Sequence, residues 1–335
     1  MIQLYKTLGG IKKMNLFWPV YKNLEKEFLA LANYIHIDDS QMKVYSMHIA
    51  DLIIRTCVEI ESISKELYFK LGGCPEPVDE DGKKRDLYFD TDCLNLLEQE
   101  WHISKKQITV SCSSLFLSKD ENTILTPLHK AYKRGTSGSK WQQVYQAVKH
   151  NRVNSLKRAT LSVLINALGA LYILNLYYRD EIIDIGRMYL SDKTFDNRVG
   201  SDIFSVCYFS ATGLFMSTVM DDSCISNTNM EELEKAIYVH KYTDDTFIQM
   251  HENFCRDYKI TLENFEKSKV IADFLKNNPD YTGKSINEIC MVAGGQQLML
   301  SIVSTRYSRS DLQSTKSEAK LNKHKDIYPH LDPIE

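Results

Sequence analysis

Trp141 to Arg179 reads WQQVYQAVKHNRVNSLKRATLSVLINALGALYILNLYYR. Trp141, Val144, Tyr145 and Val148 recur at helical spacing and make one apolar face. Ala159 to Tyr178 then runs for twenty residues without a charge. A stretch of that length can cross a bilayer. It can equally be the central helix of a large core, apolar all round because protein surrounds it. Ser162, Asn166 and Asn175 weaken the apolar signal, and helices of amphipathic pattern flank the stretch. The buried helix is therefore the preferred reading, and no membrane association is expected. Between the two helical parts, Asn151 to Asn154 predicts a break, because asparagine side chains compete for the backbone and favour caps and turns. Asn154 or Ser155 is the expected cap of the apolar helix.

Working outward, Leu24, Phe28, Leu31 and Ile35 sit at helical intervals. Asp38, Asp39 and Ser40 suggest a turn and an N-cap. A long helix is expected from Gln41 to Leu71, closed by Gly72-Gly73. Pro75 to Arg85 has the composition of a surface loop. Thr91 to Trp101 suits a short helix, Gln107 to Leu117 a strand or small hairpin, and Pro127 to Ser139 a connection. Beyond Arg179 the chain turns acidic and polar through Gly200. Ile203–Phe209 and Gly213–Met220 could pair as strands, with buried helix as the alternative. Met230 to Lys276 has a helical pattern in two or three pieces, and Ile286 to Val303 adds another helix, with Gly294-Gly295 as a kink or close contact. Arg306 to Glu335 reads as a loosely ordered polar tail.

The fold class expected is mainly α. A helical domain over residues 1–180 carries an inserted loop and small β-hairpin at 74–140. An α-rich region with short strands follows over 181–305, and a polar tail over 306–335. The 335 residues are 43% hydrophobic and 25% charged, with a net charge of −3 and a pI near 6.3. That composition is globular, and the charge excludes coating of nucleic acid through bulk positive charge. The eight cysteines are scattered, without metal-binding spacing, and read as reduced core residues. With no signal peptide evident in Met1–Val20, they point to a cytoplasmic chain.

The chemistry concentrates at the expected break. Lys149, His150 and Arg152 are cationic or can become so, and lie within four residues. A histidine moves protons near neutral pH, and an arginine grips phosphate through a forked pair of hydrogen bonds. His150 and Arg152 are the candidate catalytic pair. Lys149, Asn151, Lys157 and Arg158 are the candidate substrate-binding residues. A solvated polar bend between helices is the plain alternative. The pairs Asp221-Asp222 and Asp244-Asp245 read as surface turns, His240 and His251 as exposed or capping residues, and His324 and His330 as tail residues. No metal site and no cofactor are expected.

The same segment resembles the HEPN superfamily of helical bundles, in the branch where a Trp-Tyr helix ends in a Lys-His-x-Arg element before an Ala/Leu-rich helix. The earlier segment ADLIIRTCVEIESISKELYFKLGG resembles the family's long helix, with Glu59, Glu61 and Lys65 as its Glu-x-Glu-x-x-x-Lys run. The resemblance spans about Met42 to Tyr178 and implies a helical bundle directed at RNA or nucleotides. Relatives of this kind include metal-independent endoribonucleases of phage-defence and toxin–antitoxin systems, often dimeric. Others are non-catalytic binding modules. The family's catalytic signature places an arginine before the histidine on the same helix. Here Val144, Tyr145 and Gln146 occupy that turn, and Arg152 follows the histidine. An endoribonuclease and a non-catalytic RNA, nucleotide or protein-interaction module both remain open, each with a homodimer or a regulatory protein as further partner.

Overall fold

The computed structural model describes residues 15–187, 194–212, 227–294 and 315–330. Among the described residues it is mainly helical, with 55% helix against 12% strand. The hydrophobic pattern of the first half becomes α1 (Phe17–Leu31), α2 (Met47–Lys70), α3 (Asn95–Trp101), a single turn α4 (Asp120–Thr123), α5 (Lys140–His150), a single turn α6 (Arg152–Ser155) and α7 (Leu161–Arg179). After these come α8 (Asn227–Lys235), α9 (Asp244–Glu266), α10 (Lys269–Asn277) and α11 (Ile286–Ala293).

α7 is the axis of the molecule. It packs against α2 most extensively, and also against α1 and α5. Leu164, Ile165, Leu171, Ile173 and Leu174 are fully or almost fully buried, and at helical spacing they point to all sides of the helix. Among the described residues it is the one helix long and apolar enough to cross a membrane, and its side chains are enclosed by protein. Each buried Leu or Ile contributes about 1.5–3 kcal/mol through removal from water, so an all-apolar helix is best satisfied at the centre of a core. Gly169 allows a close approach: a Cβ there would lie 2.7 Å from Ile108 Cδ1 and 3.4 Å from Pro127 Cγ.

α2 starts later than expected. Asp38 caps a short 3₁₀ turn over Asp39–Gln41, and Ser46 caps α2 by accepting from Ile49 N. The side chains near Ser40 are taken by the turn, so the helix is nucleated one segment on. Gly72, at φ +84°, follows the helix end as read from the sequence. The N-cap position of α7 is Thr160, not Asn154 or Ser155, because a 3₁₀ turn over Leu156–Arg158 intervenes.

The strands form two sheets. In the first, β1 (Ile108–Val110) lies between β2 (Ile124–Leu125) and β4 (Phe204–Val206), both antiparallel to it. The inserted segment is thus more than a local hairpin, since its central strand pairs with a strand almost a hundred residues on. The second sheet has the order β3 (Ile183–Arg187), β7 (Lys316–Leu321), β6 (Tyr238–Tyr242) and β5 (Tyr208–Ser210). β3 and β6 run antiparallel to β7, and β5 parallel to β6.

Three expectations change here. β6 interrupts the supposedly helical Met230–Lys276 run: Tyr238, Val239, Lys241 and Tyr242 are all buried. β7 lies inside the supposed tail and is an internal strand of its sheet. Its sequence KSEAKL is polar, but Ser317, Ala319 and Leu321 alternate onto a buried face, and backbone pairing on both edges supplies what side chains do not. Residue 180 is not a packing boundary either. Phe204, Tyr238 and Leu321 belong to the same core as α7, whereas α9, α10 and α11 build a small core of their own around Phe254, Ile271 and Ile289. The expected strand at Gly213–Met220 and the end of the Ile286–Val303 helix lie outside the described residues. Gly294 does make a close contact, its Cβ position falling 2.5 Å from Phe265 Cζ.

Candidate nucleic-acid interface

α5 begins with a capping box between Ser139 and Gln142, and its apolar face, Trp141, Val144, Tyr145 and Val148, is buried. Trp141 Nε1 donates to Pro127 O at 2.8 Å. Tyr145 faces α2: its phenol is pushed above the ordinary range by burial and then by the Glu61 and Cys57 side chains. The two segments that carry the sequence resemblance, α2 and α5, therefore pack together, with Glu61 towards Tyr145.

The break comes where the asparagines stand. Asn151 has φ −147° and ψ 75°, outside the helical region. Its N–H donates back to Ala147 O, closing α5, and its side chain accepts from Asn154 N at 3.3 Å, opening α6. The carboxamide oxygen of Asn151, one of the candidate substrate-binding residues, thus serves as a cap. A tight turn at Ala159, where Thr160 N donates to Arg158 O at 3.0 Å, delivers the chain into α7.

Lys149, His150, Arg152, Lys157 and Arg158 are all exposed on this bend. Lys149 Nζ lies 3.5 Å from the Tyr145 hydroxyl and 5.3 Å from the centre of its ring. Among the described residues, none of the five has a carboxylate within ion-pair distance, and no side chain hydrogen-bonds His150. Val153, at their centre, is 91% exposed.

The structure adds residues that the sequence reading did not select. Leu161 N donates to Val44 O at 2.9 Å and Ser162 N to Met42 O at 3.1 Å, and Tyr45 bridges Thr160 in antiparallel register. Lys43 and Tyr45 are therefore laid alongside the end of the bend. Lys43 is exposed and Tyr45 is 43% exposed. One linear signal would have marked the region: no Asp or Glu stands between Glu121 and Asp180, although lysines and arginines recur there. Nothing linear would have marked Tyr45.

The arrangement gives an exposed cationic bend with Tyr45 alongside its end, suited to phosphate contact and stacking. Among the described residues, no second group orients His150 as a positioned general base requires. The other sequence candidates sit elsewhere. Asp244 and Asp245 open α9, where carboxylates complement the helix N-terminus. His240 is a half-buried residue of β6, rather than an exposed helical one, with Nε2 buried and unbonded among the described residues. His251 is on α9 beside Cys255. Cys57 and Cys93 are buried, as read, but Cys74 is exposed and Cys112, Cys207 and Cys255 are half-buried. Asp221 and Asp222 lie outside the described residues.

Compared with family models, curated proteins and solved structures, the chain matches none.

Proposed function

We propose that this protein binds single-stranded RNA or a related nucleotide polyanion across the bend from Lys149 to Arg158. The observation that carries the reading is a run of exposed cations without carboxylate partners among the described residues, on a protein whose net charge is −3. Surface lysines and arginines of acidic proteins commonly meet nearby carboxylates, whereas here the whole stretch from 122 to 179 lacks an acidic residue. Phosphates would supply the missing charge, and release of their counterions would drive binding. Tyr45 offers a π-face to an unpaired base, which favours single strands over duplex.

The resemblance of α2, α5 and α7 to the HEPN superfamily supports the same direction, and the contact of α2 with α5 and α7 is what a bundle of that kind requires. Binding without cleavage is the preferred form, because His150 has no orienting partner among the described residues. An endoribonuclease assembled across a homodimer, with His150 and Arg152 meeting a second copy, is the other form of the proposal. A cytoplasmic setting goes with both.

The test uses the full chain and a fluorescently labelled single-stranded RNA, with binding followed by anisotropy. Binding that the double variant Lys149→Glu/Arg152→Glu loses, and that a control reversal such as Lys276→Glu keeps, supports the interface. Equal binding by both variants, or no binding by the wild type, removes it. Incubation with RNA in EDTA separates the two forms: cleavage by the wild type and not by His150→Ala establishes the nuclease.

A further inference from the structure

A second cluster joins the helical core to the C-terminal sheet. Beyond β7 the chain is organised by Asn322. Its N–H donates to Ile237 O at 2.8 Å, and its Nδ2 donates to Leu233 O at 2.6 Å and Ala236 O at 3.1 Å. Its carbonyl accepts from the Tyr177 hydroxyl of α7 at 2.6 Å, and its Oδ1 accepts from His324 N at 3.1 Å. His324 is thereby placed at φ +54°, and His102, just past the end of α3, stands at φ +50°. These are left-handed conformations that non-glycine side chains seldom adopt, and they persist only where the surroundings impose them. The two rings lie on one another, with centroids 3.7 Å apart and planes inclined by 30°.

Lysines and carboxylates both face this stack. From the turn after α3, Lys105 reaches Glu234 Oε2 at 2.7 Å, and Lys106, 1% exposed, donates to the Glu234 carbonyl at 3.0 Å. From α8, Glu234 Oε1 stands 3.7 Å from His102 Nδ1, too far for a hydrogen bond. His102 Nδ1 is buried and has no hydrogen-bond partner among the described residues. The Glu98 carboxylate is occupied by Ser104 N and Oγ, each at 2.8 Å. The Cys207 thiol, raised by burial, faces Lys106 from the link between β4 and β5. Beside His324, Lys323 is paired with Asp180 at 2.6 Å. Two carboxylates, Glu98 and Glu234, thus face the two lysines, and Glu234, already engaged by Lys105, faces both imidazoles as well.

We infer that the His102–His324 stack is a proton-sensitive clasp: with the rings neutral it holds the end of β7 against α3, and protonation of the pair releases it. Two imidazolium rings in face contact repel, and the nearby lysines add to that repulsion. The direction of titration agrees. His324 is held below the ordinary histidine range by burial, then by His102 and Lys106. A depressed histidine contributes stability that is complete above about pH 6.5, its unfolded value, and is lost as pH falls through the lower folded value. Because β7 lies between β3 and β6, release would loosen an internal strand of the sheet.

The test is amide hydrogen exchange on the full chain at about pH 7.5 and pH 5.5, with rates normalised for the intrinsic pH dependence. In the wild type, protection of residues 316–321 is expected to fall several-fold relative to α7 on acidification. The double variant His102→Asn/His324→Asn, chosen because asparagine tolerates the left-handed region, is expected to lose that response. Unchanged protection in the wild type, or an equal fall in the variant, overturns the clasp. If the variant does not fold, imidazole proton titration in the wild type decides. Coupled titrations with one ring below the ordinary range support the clasp, and two independent ordinary titrations overturn it.

Discussion

Ser201 donates its hydroxyl to Glu25 Oε1 at 2.5 Å, across 176 residues of chain and inside the core. The same oxygen accepts from the Tyr21 hydroxyl at 2.9 Å and from the backbone of Asp202 at 2.8 Å and Ile203 at 3.2 Å. Lys22 pairs with the other oxygen and reaches Asp202 at 2.6 Å. A fully buried carboxylate on α1 therefore holds the turn that leads into β4.

Removing it should leave several buried donors without an acceptor. Glu25→Ala is expected to lower stability by about 2–4 kcal/mol, since stranded polar groups cost more than the net value of the bonds they made. Urea denaturation measures this, and a loss below about 1 kcal/mol would mean that water replaces the carboxylate freely.

Gly169 makes a packing prediction. Alanine raises helix propensity by about 0.5–1 kcal/mol, but here its Cβ would meet Ile108 Cδ1 at 2.7 Å. Overpacking is expected to outweigh the gain, with a net loss of about 1–2 kcal/mol. Ile108→Val removes the opposing methyl group, so the double variant should recover part of the loss. A stabilised single variant would show that Ile108 rotates aside.

Lys106 predicts a dependence on alkaline pH. Burial lowers its ammonium from 10.5 to about 8, so between those values the unfolded chain binds more protons than the folded one. Stability relative to Lys106→Met should then rise as pH increases from 8 towards 10, with a slope of at most about 1.4 kcal/mol per pH unit. Denaturation of both proteins at stepped pH tests it; parallel curves would place the ammonium in contact with water.

The cationic bend predicts a salt dependence. A plot of log affinity for single-stranded RNA against log salt should become shallower in Lys149→Gln, Arg152→Gln or Arg158→Gln, by about 0.7 for each phosphate that the variant no longer neutralises. Unchanged slopes alongside weaker binding would indicate that these residues act by shape.

Tyr45 predicts a preference between strands. Tyr45→Ala should weaken single-stranded binding by about 1–3 kcal/mol, as loss of one base stack does, while Tyr45→Phe and duplex binding stay near the wild type. An equal effect of the alanine variant on duplex would show that the ring supports the Tyr45–Thr160 bridge instead.

The linear chain was informative wherever short-range pattern and burial agree. An uncharged run of twenty residues must be enclosed by something apolar, so α7 was legible, as were the apolar face of α5 and the break made by Asn151. The exposed cations were legible too, because charge seeks water unless it is paired. β6 and β7 were not. KSEAKL has little hydrophobic signal, and it becomes an internal strand only because β3 and β6 present unpaired backbone on either side of it. Nor could spacing reveal that Tyr45 lies beside Thr160, that Glu25 meets Ser201, or that His102 stacks on His324. Local sequence determined which segments are helical and which residues remain charged at the surface. Tertiary structure decided which distant segments complete one another's hydrogen bonds, since a backbone donor or a buried side chain is satisfied by whatever group the fold brings within reach.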